Sequence, residues 1–339
     1  LIWSEVNLLG QAMAAKLHEA DKPGVIWGEL YSGYWQGANS TNPWWHNMVG
    51  LLTEVASADL ATPVRQELVD PTRPSPPRSS RGGTLGVRGS SDLPLTPPAD
   101  VQYRMNYPRP WLGGVWALAD VVEYSRLATA GLLESVANNR VTLKRNFYQM
   151  NRRTIQQFAE GSPYAFLVPA DQRDPAAVAK LLRLLQAEAA EVHIANAPFV
   201  ADGQTYAEGT YVIYLSQSFG RWIKDILEPQ VYPEIRWPNR DAPIDKPYDI
   251  TAWSLGMLMG VDTVQIAEPF KASLTLLVED ASLAPGDVVG SGTTYLLSHE
   301  SNQSFVALNR LLALGATVEW ARQSLTADGT SYPAGVMLV

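Results

Sequence analysis

The chain has 339 residues, of which 46% are hydrophobic and 18% charged, with a formal net charge of −8. That length accommodates two domains, and that balance builds a cored globular protein, neither disordered nor fibrous. An acidic balance with no basic run argues against nucleic acid as a partner, no apolar stretch reaches the roughly 18 residues of a membrane span, and the lack of cysteine removes disulfides, thiolate metal sites and cysteine nucleophiles.

In chain order, the first expected element is a helix over 5–20, capped by Ser4, with Val6, Leu9, Met13 and Leu17 on its apolar face. Pro23-Gly24 ends it, and Val25-Ile26-Trp27 reads as a short strand. Residues 31–47 are dense in Gly, Asn, Ser, Thr and aromatics, as a functional loop is. The run 49–56 is apolar and strand-like except for Glu54. Residues 70–100 carry seven prolines and form no core. Two helices are expected over 115–138 and 141–160, and Gly161-Ser162-Pro163 marks a boundary. From Tyr164 onward strands (164–168, 192–194, 210–215) alternate with a helix (175–190), the rhythm of a parallel sheet flanked by helices. Leu1 follows no charged-then-apolar leader, and 335–339 reads as an apolar strand, so both ends read as cuts in a longer protein. The resulting divisions are 1–69, a Pro/Ser/Gly-rich loop or linker over 70–112, a helical connector over 113–160, and an α/β domain over 161–339.

An internal repeat is visible at a constant offset of 126 residues. Ala201-Asp202-Gly203, Tyr206 and Gly209 are answered by Ala327-Asp328-Gly329, Tyr332 and Gly335, and Leu182 and Leu185 by Leu308 and Leu311. Asp-Gly is first a turn signal, so the simpler reading is a duplicated α/β unit and the alternative is two equivalent binding loops.

Chemistry concentrates in Tyr31-Ser32-Gly33-Tyr34-Trp35 through Asn42-Pro43-Trp44-Trp45-His46-Asn47, followed by Leu51-Leu52-Thr53-Glu54. A carboxylate inside an apolar run beside an aromatic loop is the arrangement of a general base facing a pocket, although a structural carboxylate is the alternative. These residues resemble the carboxypeptidase A-like zinc metallopeptidases, and especially large bacterial members. Asn106-Tyr107-Pro108, Pro110-Trp111, Arg145-Asn146-Phe147-Tyr148, the segment Pro169 to Pro175, and Tyr248-Asp249 before Trp253 extend the likeness over most of the chain. The resemblance implies that 1–69 is the end of a catalytic domain, with Glu54 as general base and Tyr34 closing over the substrate, a peptide cut at its C-terminal residue. It implies zinc as the cofactor and an extracellular or periplasmic setting. The domain over 161–339 itself resembles flavodoxin- or class I glutamine amidotransferase-like α/β folds. The family's His-x-x-Glu ligand pair is absent: none of His18, His46, His193 and His299 is followed by Glu three residues later. The zinc ligands are therefore expected upstream of Leu1, and the isolated chain is expected to be inactive. The rival reading is a binding or scaffold module built on the α/β domain. Ser298-His299-Glu300 lacks a Gly-x-Ser-x-Gly frame, so a serine hydrolase site is not expected there.

Overall fold

The computed structural model describes the chain apart from residues 29–36, 59–61, 71–97, 99, 237–238, 245, 247–253, 280, 282–285 and 328. It divides into two compact units, Leu1–Met150 and Asn151–Val339.

The first unit opens with α1 (Ile2–Glu19), which starts at Leu1 without a side-chain cap, so Ser4 lies inside the helix. Asp21 takes φ +56°, and the Lys22 N–H closes the helix end on the Leu17 carbonyl at 2.9 Å. After it come the one-turn α2 (Asn42–Trp45) and the antiparallel pair β1 (Val64–Gln66) and β2 (Gly114–Trp116). The long α3 (Leu118–Glu160) follows. The two helices expected over 115–160 are one, because 138–140 contains no Gly or Pro and Asn139 bonds back to the Ser135 carbonyl within the helix.

Leu17, Ala14 and Val25 pack against Tyr124 and Leu127 to form this unit's core. α1 runs against α3 in the opposite sense: Glu5 accepts from Asn146 Nδ2, Lys16 pairs with Glu134, and Tyr124 bonds the Pro23 carbonyl. Gly131 lets them close, since a Cβ there would lie 2.7 Å from the Ala12 carbonyl oxygen. The expected strand 25–27 forms no ladder. Gly24 and Trp27 instead donate to the Arg109 and Asn106 carbonyls, and Asn106 returns a bond to Trp27.

The second unit holds β3 (Ala165–Val168), α4 (Pro175–Ala187), β4 (His193–Ala195), the hairpin β5 (Phe199–Ala201) and β6 (Gln204–Tyr206), and β7 (Tyr211–Tyr214). Then come α5 (Gly220–Leu227), α6 (Leu255–Met259), β8 (Val264–Ile266) and β9 (Leu274–Leu276). The chain continues with β10 (Leu296–Leu297), α7 (Asn302–Ala313), β11 (Glu319–Trp320), the hairpin β12 (Leu325–Ala327) and β13 (Thr330–Tyr332), and β14 (Met337–Leu338).

The fold is mixed α/β, but the sheet is not parallel as the alternation of strands and helix predicts. The five-stranded sheet has the order β8-β3-β7-β4-β9 and every pairing in it is antiparallel. The reason lies in the connection. β3 and β4, joined through α4, do run the same way, as a crossover requires. The hairpin then turns the chain back, and β7 inserts between them, antiparallel to both. One face of the sheet buries Ala165, Leu167, Val212 and Ile266 under Phe199, Ala201 and Tyr206 of the hairpin. Aromatic rings extend this layer, with Phe270 stacked on Phe199 at 5.2 Å and on Tyr214 at 5.8 Å. The alternate residues Phe166 and Ile213 are equally buried, as are Leu181, Leu182 and Leu185 of α4 and Ile223 and Leu227 of α5.

The repeat is present in three dimensions. The order β10-β14-β11 matches β3-β7-β4, also antiparallel. The register follows the offset in β11 to β14, where His193↔Val212 becomes Glu319↔Leu338 and Phe199↔Tyr206 becomes Leu325↔Tyr332, whereas β10 stands three residues off it, Leu167↔Val212 being answered by Leu296↔Leu338. Both helices end alike, with Ala189 (φ +62°) and Gly315 (φ +83°) left-handed after the cap, and the Ala190 and Ala316 N–H groups bonding the Leu185 and Leu311 carbonyls. Asp202 (φ +45°) and Gly203 (φ +77°) form a two-residue turn of the mirror-image type that hairpins favour. Asp202 also accepts from the backbone of Ala267 and Glu268. Its counterpart Asp328 lies outside the described residues, but Gly329 repeats the positive φ at +80°.

Candidate functional site

The aromatic loop closes on itself through α2. Ser40, Thr41, His46 and Asn47 are all buried, a dense set of polar groups for so short a segment. His46 Nδ1 lies 3.0 Å from the Asn42 carbonyl and donates to it. Asn47 adopts φ +58°, a conformation Asn tolerates, which lets the Met48 N–H reach back to the Pro43 carbonyl at 2.8 Å. Trp44 Nε1 donates to the Gly50 carbonyl at 2.9 Å, and its ring meets Trp3 of α1 at 4.7 Å. Gly50 admits no side chain, because a Cβ would fall 1.9 Å from the Ser40 carbonyl oxygen. The His46-Asn47 pair thus builds the turn that launches the Glu54 segment.

That segment differs from expectation. No strand forms over 49–56 among the described residues. The chain is fixed by side chains instead of a ladder: Trp44 holds Gly50, Val55 packs on the α1–α3 core, and Trp116 Nε1 donates to the Ala56 carbonyl at 2.8 Å. With Val55 turned inward, Glu54 is exposed between two anchored points. The apolar residues around it signalled an anchored segment; the anchors, two indole N–H groups, carry no strand period to read. Tyr34 and Tyr31 lie outside the described residues.

The histidines have different neighbours. His18 sits edge-on to Trp27 at 5.6 Å, and burial, with the Arg109 charge, holds its imidazole below the usual range. His193 on β4 lies edge-on to Tyr214 at 5.6 Å, and His299 covers Gly335, where a Cβ would lie 3.2 Å from its ring. Among the described residues no three His, Asp or Glu side chains come together to hold a metal ion. The zinc that the resemblance implies therefore has no ligand set among them. Ser298 Oγ accepts from the Glu300 N–H at 3.2 Å, and no hydrogen bond joins it to His299 among the described residues.

Two acids were not singled out by the sequence. Asp174 caps α4 by accepting from the Ala176 and Ala177 N–H groups, and also accepts from Ser301 Oγ and from the Asn302 backbone and side chain at the start of α7. Burial pushes its pKa up, but these donors outweigh it and hold the carboxyl below the usual range. Asp225 is buried in α5, and burial pushes its pKa up to about 6 against the bond from Gln230. Its signal was the i,i+3 spacing from Trp222, which sets the two residues one turn apart on a buried side of the helix.

No family model matches the chain, and no curated protein or solved structure matches it.

Proposed function

We propose that the chain carries the general-base segment of a zinc carboxypeptidase-type site, with Glu54 as the base, Tyr34 closing over a peptide substrate, and the zinc ligands on residues outside 1–339. The observation that supports this most is the presentation of Glu54: an exposed carboxylate on a segment pinned at Gly50 and at Val55-Ala56, directly after the aromatic loop. Proton transfer from an attacking water to a leaving amine requires a water-accessible carboxylate, and the backbone on either side of Glu54 is anchored. In such a site the zinc makes that water acidic enough for a carboxylate to deprotonate. This chain's own part is to hold Glu54 and bring up the aromatic loop. The antiparallel sheet of the second unit does not fit a parallel-sheet, amidotransferase-like domain, and the expected setting of the peptidase is extracellular or periplasmic.

A specific observation favours a second reading, a binding module. The α/β unit is duplicated, with its register kept in the hairpin and in β11 and β14, and repeats often serve as surfaces. The experiment that separates the two assays blocked dipeptides with free C-termini, using the chain alone and the polypeptide lengthened upstream. The peptidase reading expects zinc-dependent turnover only with the longer protein. Failure of that protein to bind zinc or to turn over substrate sinks it.

A further inference from the structure

The carboxyl of Asp225 is buried near the end of α5 and is poorly partnered. Its Oδ1 accepts from Gln230 Nε2 at 3.4 Å, and among the described residues its Oδ2 accepts from nothing. Asp225 is 7% exposed, so bulk water does not supply the missing donors, and an ionised carboxylate is costly there. The charges that act on it are Lys224 and Glu228, which pair with each other. Arg221, one turn earlier in α5, donates to Gln157 instead. α6 packs against α5 and carries no titratable side chain.

Gln230 joins this carboxyl to α6. Its side chain also donates to the Asp225 carbonyl, and its N–H donates to Ser254 Oγ at 3.1 Å. Ser254 Oγ in turn donates to the Glu228 carbonyl at 2.7 Å. Ser254 is buried and stands at the N-cap of α6. The two sides of this joint are held unequally. α5 is fixed by the buried Ile223 and Leu227, and by Gly220, where a Cβ would fall 1.9 Å from the Leu215 carbonyl oxygen. α6 is five residues long, and its Met257 and Leu258 are 71% and 62% exposed. A segment with few buried side chains opens more readily than the core.

We propose that the joint between α5 and α6 is controlled by a proton: with Asp225 neutral, Gln230 and Ser254 stay clasped, and with Asp225 ionised they release, so that water reaches the carboxylate. Burial pushes the Asp225 pKa up to about 6 while the joint is closed. In the open joint the carboxyl is hydrated and returns toward its ordinary value of about 4. The hold is therefore complete below about pH 4, and opening is favoured as pH rises through 6. The device involves neither Glu54 nor a metal and stands apart from the peptidase reading.

The test is amide hydrogen exchange on the whole chain at pH 4.5 and 7.5, corrected for intrinsic exchange rates and repeated in low guanidinium. The Gln230 and Leu258 N–H groups, which bond Ser254 Oγ and the Ser254 carbonyl, are expected to lose protection at least about tenfold at the higher pH. They are expected to exchange faster than Leu167 and Ile213 of the central strands, and with little dependence on guanidinium, as a local opening does. Asp225→Asn should abolish the pH response, and Ser254→Ala should expose the Gln230 N–H at both pH values. Equal protection at the two pH values overturns the proposal. So does exchange of Gln230 and Leu258 only in step with Leu167 and Ile213, or a pH response that persists in Asp225→Asn. The comparison of pH and guanidinium uses the unaltered chain, so it is decisive even where a variant disturbs the fold.

Discussion

At the scale of single residues, the backbone and burial make separate demands. Ala189 holds φ +62° at the end of α4, where the second copy has Gly315. A Cβ in the left-handed region costs about 1 kcal/mol, so Ala189→Gly is expected to stabilise the fold by ~0.5–1 kcal/mol in urea unfolding. Asp225 makes a pH-dependent demand. Its pKa is raised to about 6 in the folded chain, above the ordinary carboxyl value. Its contribution to stability is therefore complete below about pH 4 and is lost as pH rises through 6, by on the order of 2–3 kcal/mol. Asp225→Asn should remove that slope and leave the protein more stable at pH 7.5. An unfolding midpoint that falls equally with pH in both proteins would contradict the assignment.

At the scale of elements, helix ends and helix contacts decide the packing. Asp174 serves the N-termini of α4 and α7 together, so Asp174→Ala removes acceptors from both. A loss of ~2–4 kcal/mol is expected, larger than one cap alone supplies, and Ser301→Ala should cost ~1 kcal/mol, less than Asp174→Ala. Gly131→Ala is expected to force α1 from α3 and destabilise by ~1–3 kcal/mol, because the obstructing atom is the Ala12 backbone oxygen, which has no rotamer to move into. The sequence made the strands of the first copy legible, since 165–168 and 211–214 are apolar runs between turn signals. It made the repeat legible through Asp202-Gly203 and its distant match. It did not reveal the antiparallel order, because local pattern records that α4 links two strands but not that β7 later enters between them. Nor did it reveal that 49–56 lacks a ladder, because apolar residues anchor irregular chain and strand alike.

At the scale of the whole molecule, the chain combines a unit that presents Glu54 with a unit that doubles an antiparallel α/β motif. The candidate site was legible as a composition: aromatic loop, His46-Asn47, then Glu54. Its geometry was not, since the segment is held by Trp44 and Trp116, far apart in sequence. No helix among the described residues is long and apolar enough to cross a membrane. The central claim, that Glu54 is the proton-transferring base of a zinc peptidase, is tested most directly by kinetics of the upstream-lengthened protein bearing Glu54→Gln. A lost general base should lower kcat by about 10²–10⁴-fold with zinc content unchanged and KM little altered. Turnover in Glu54→Gln within a few-fold of the unaltered protein, at equal zinc content, would contradict the claim.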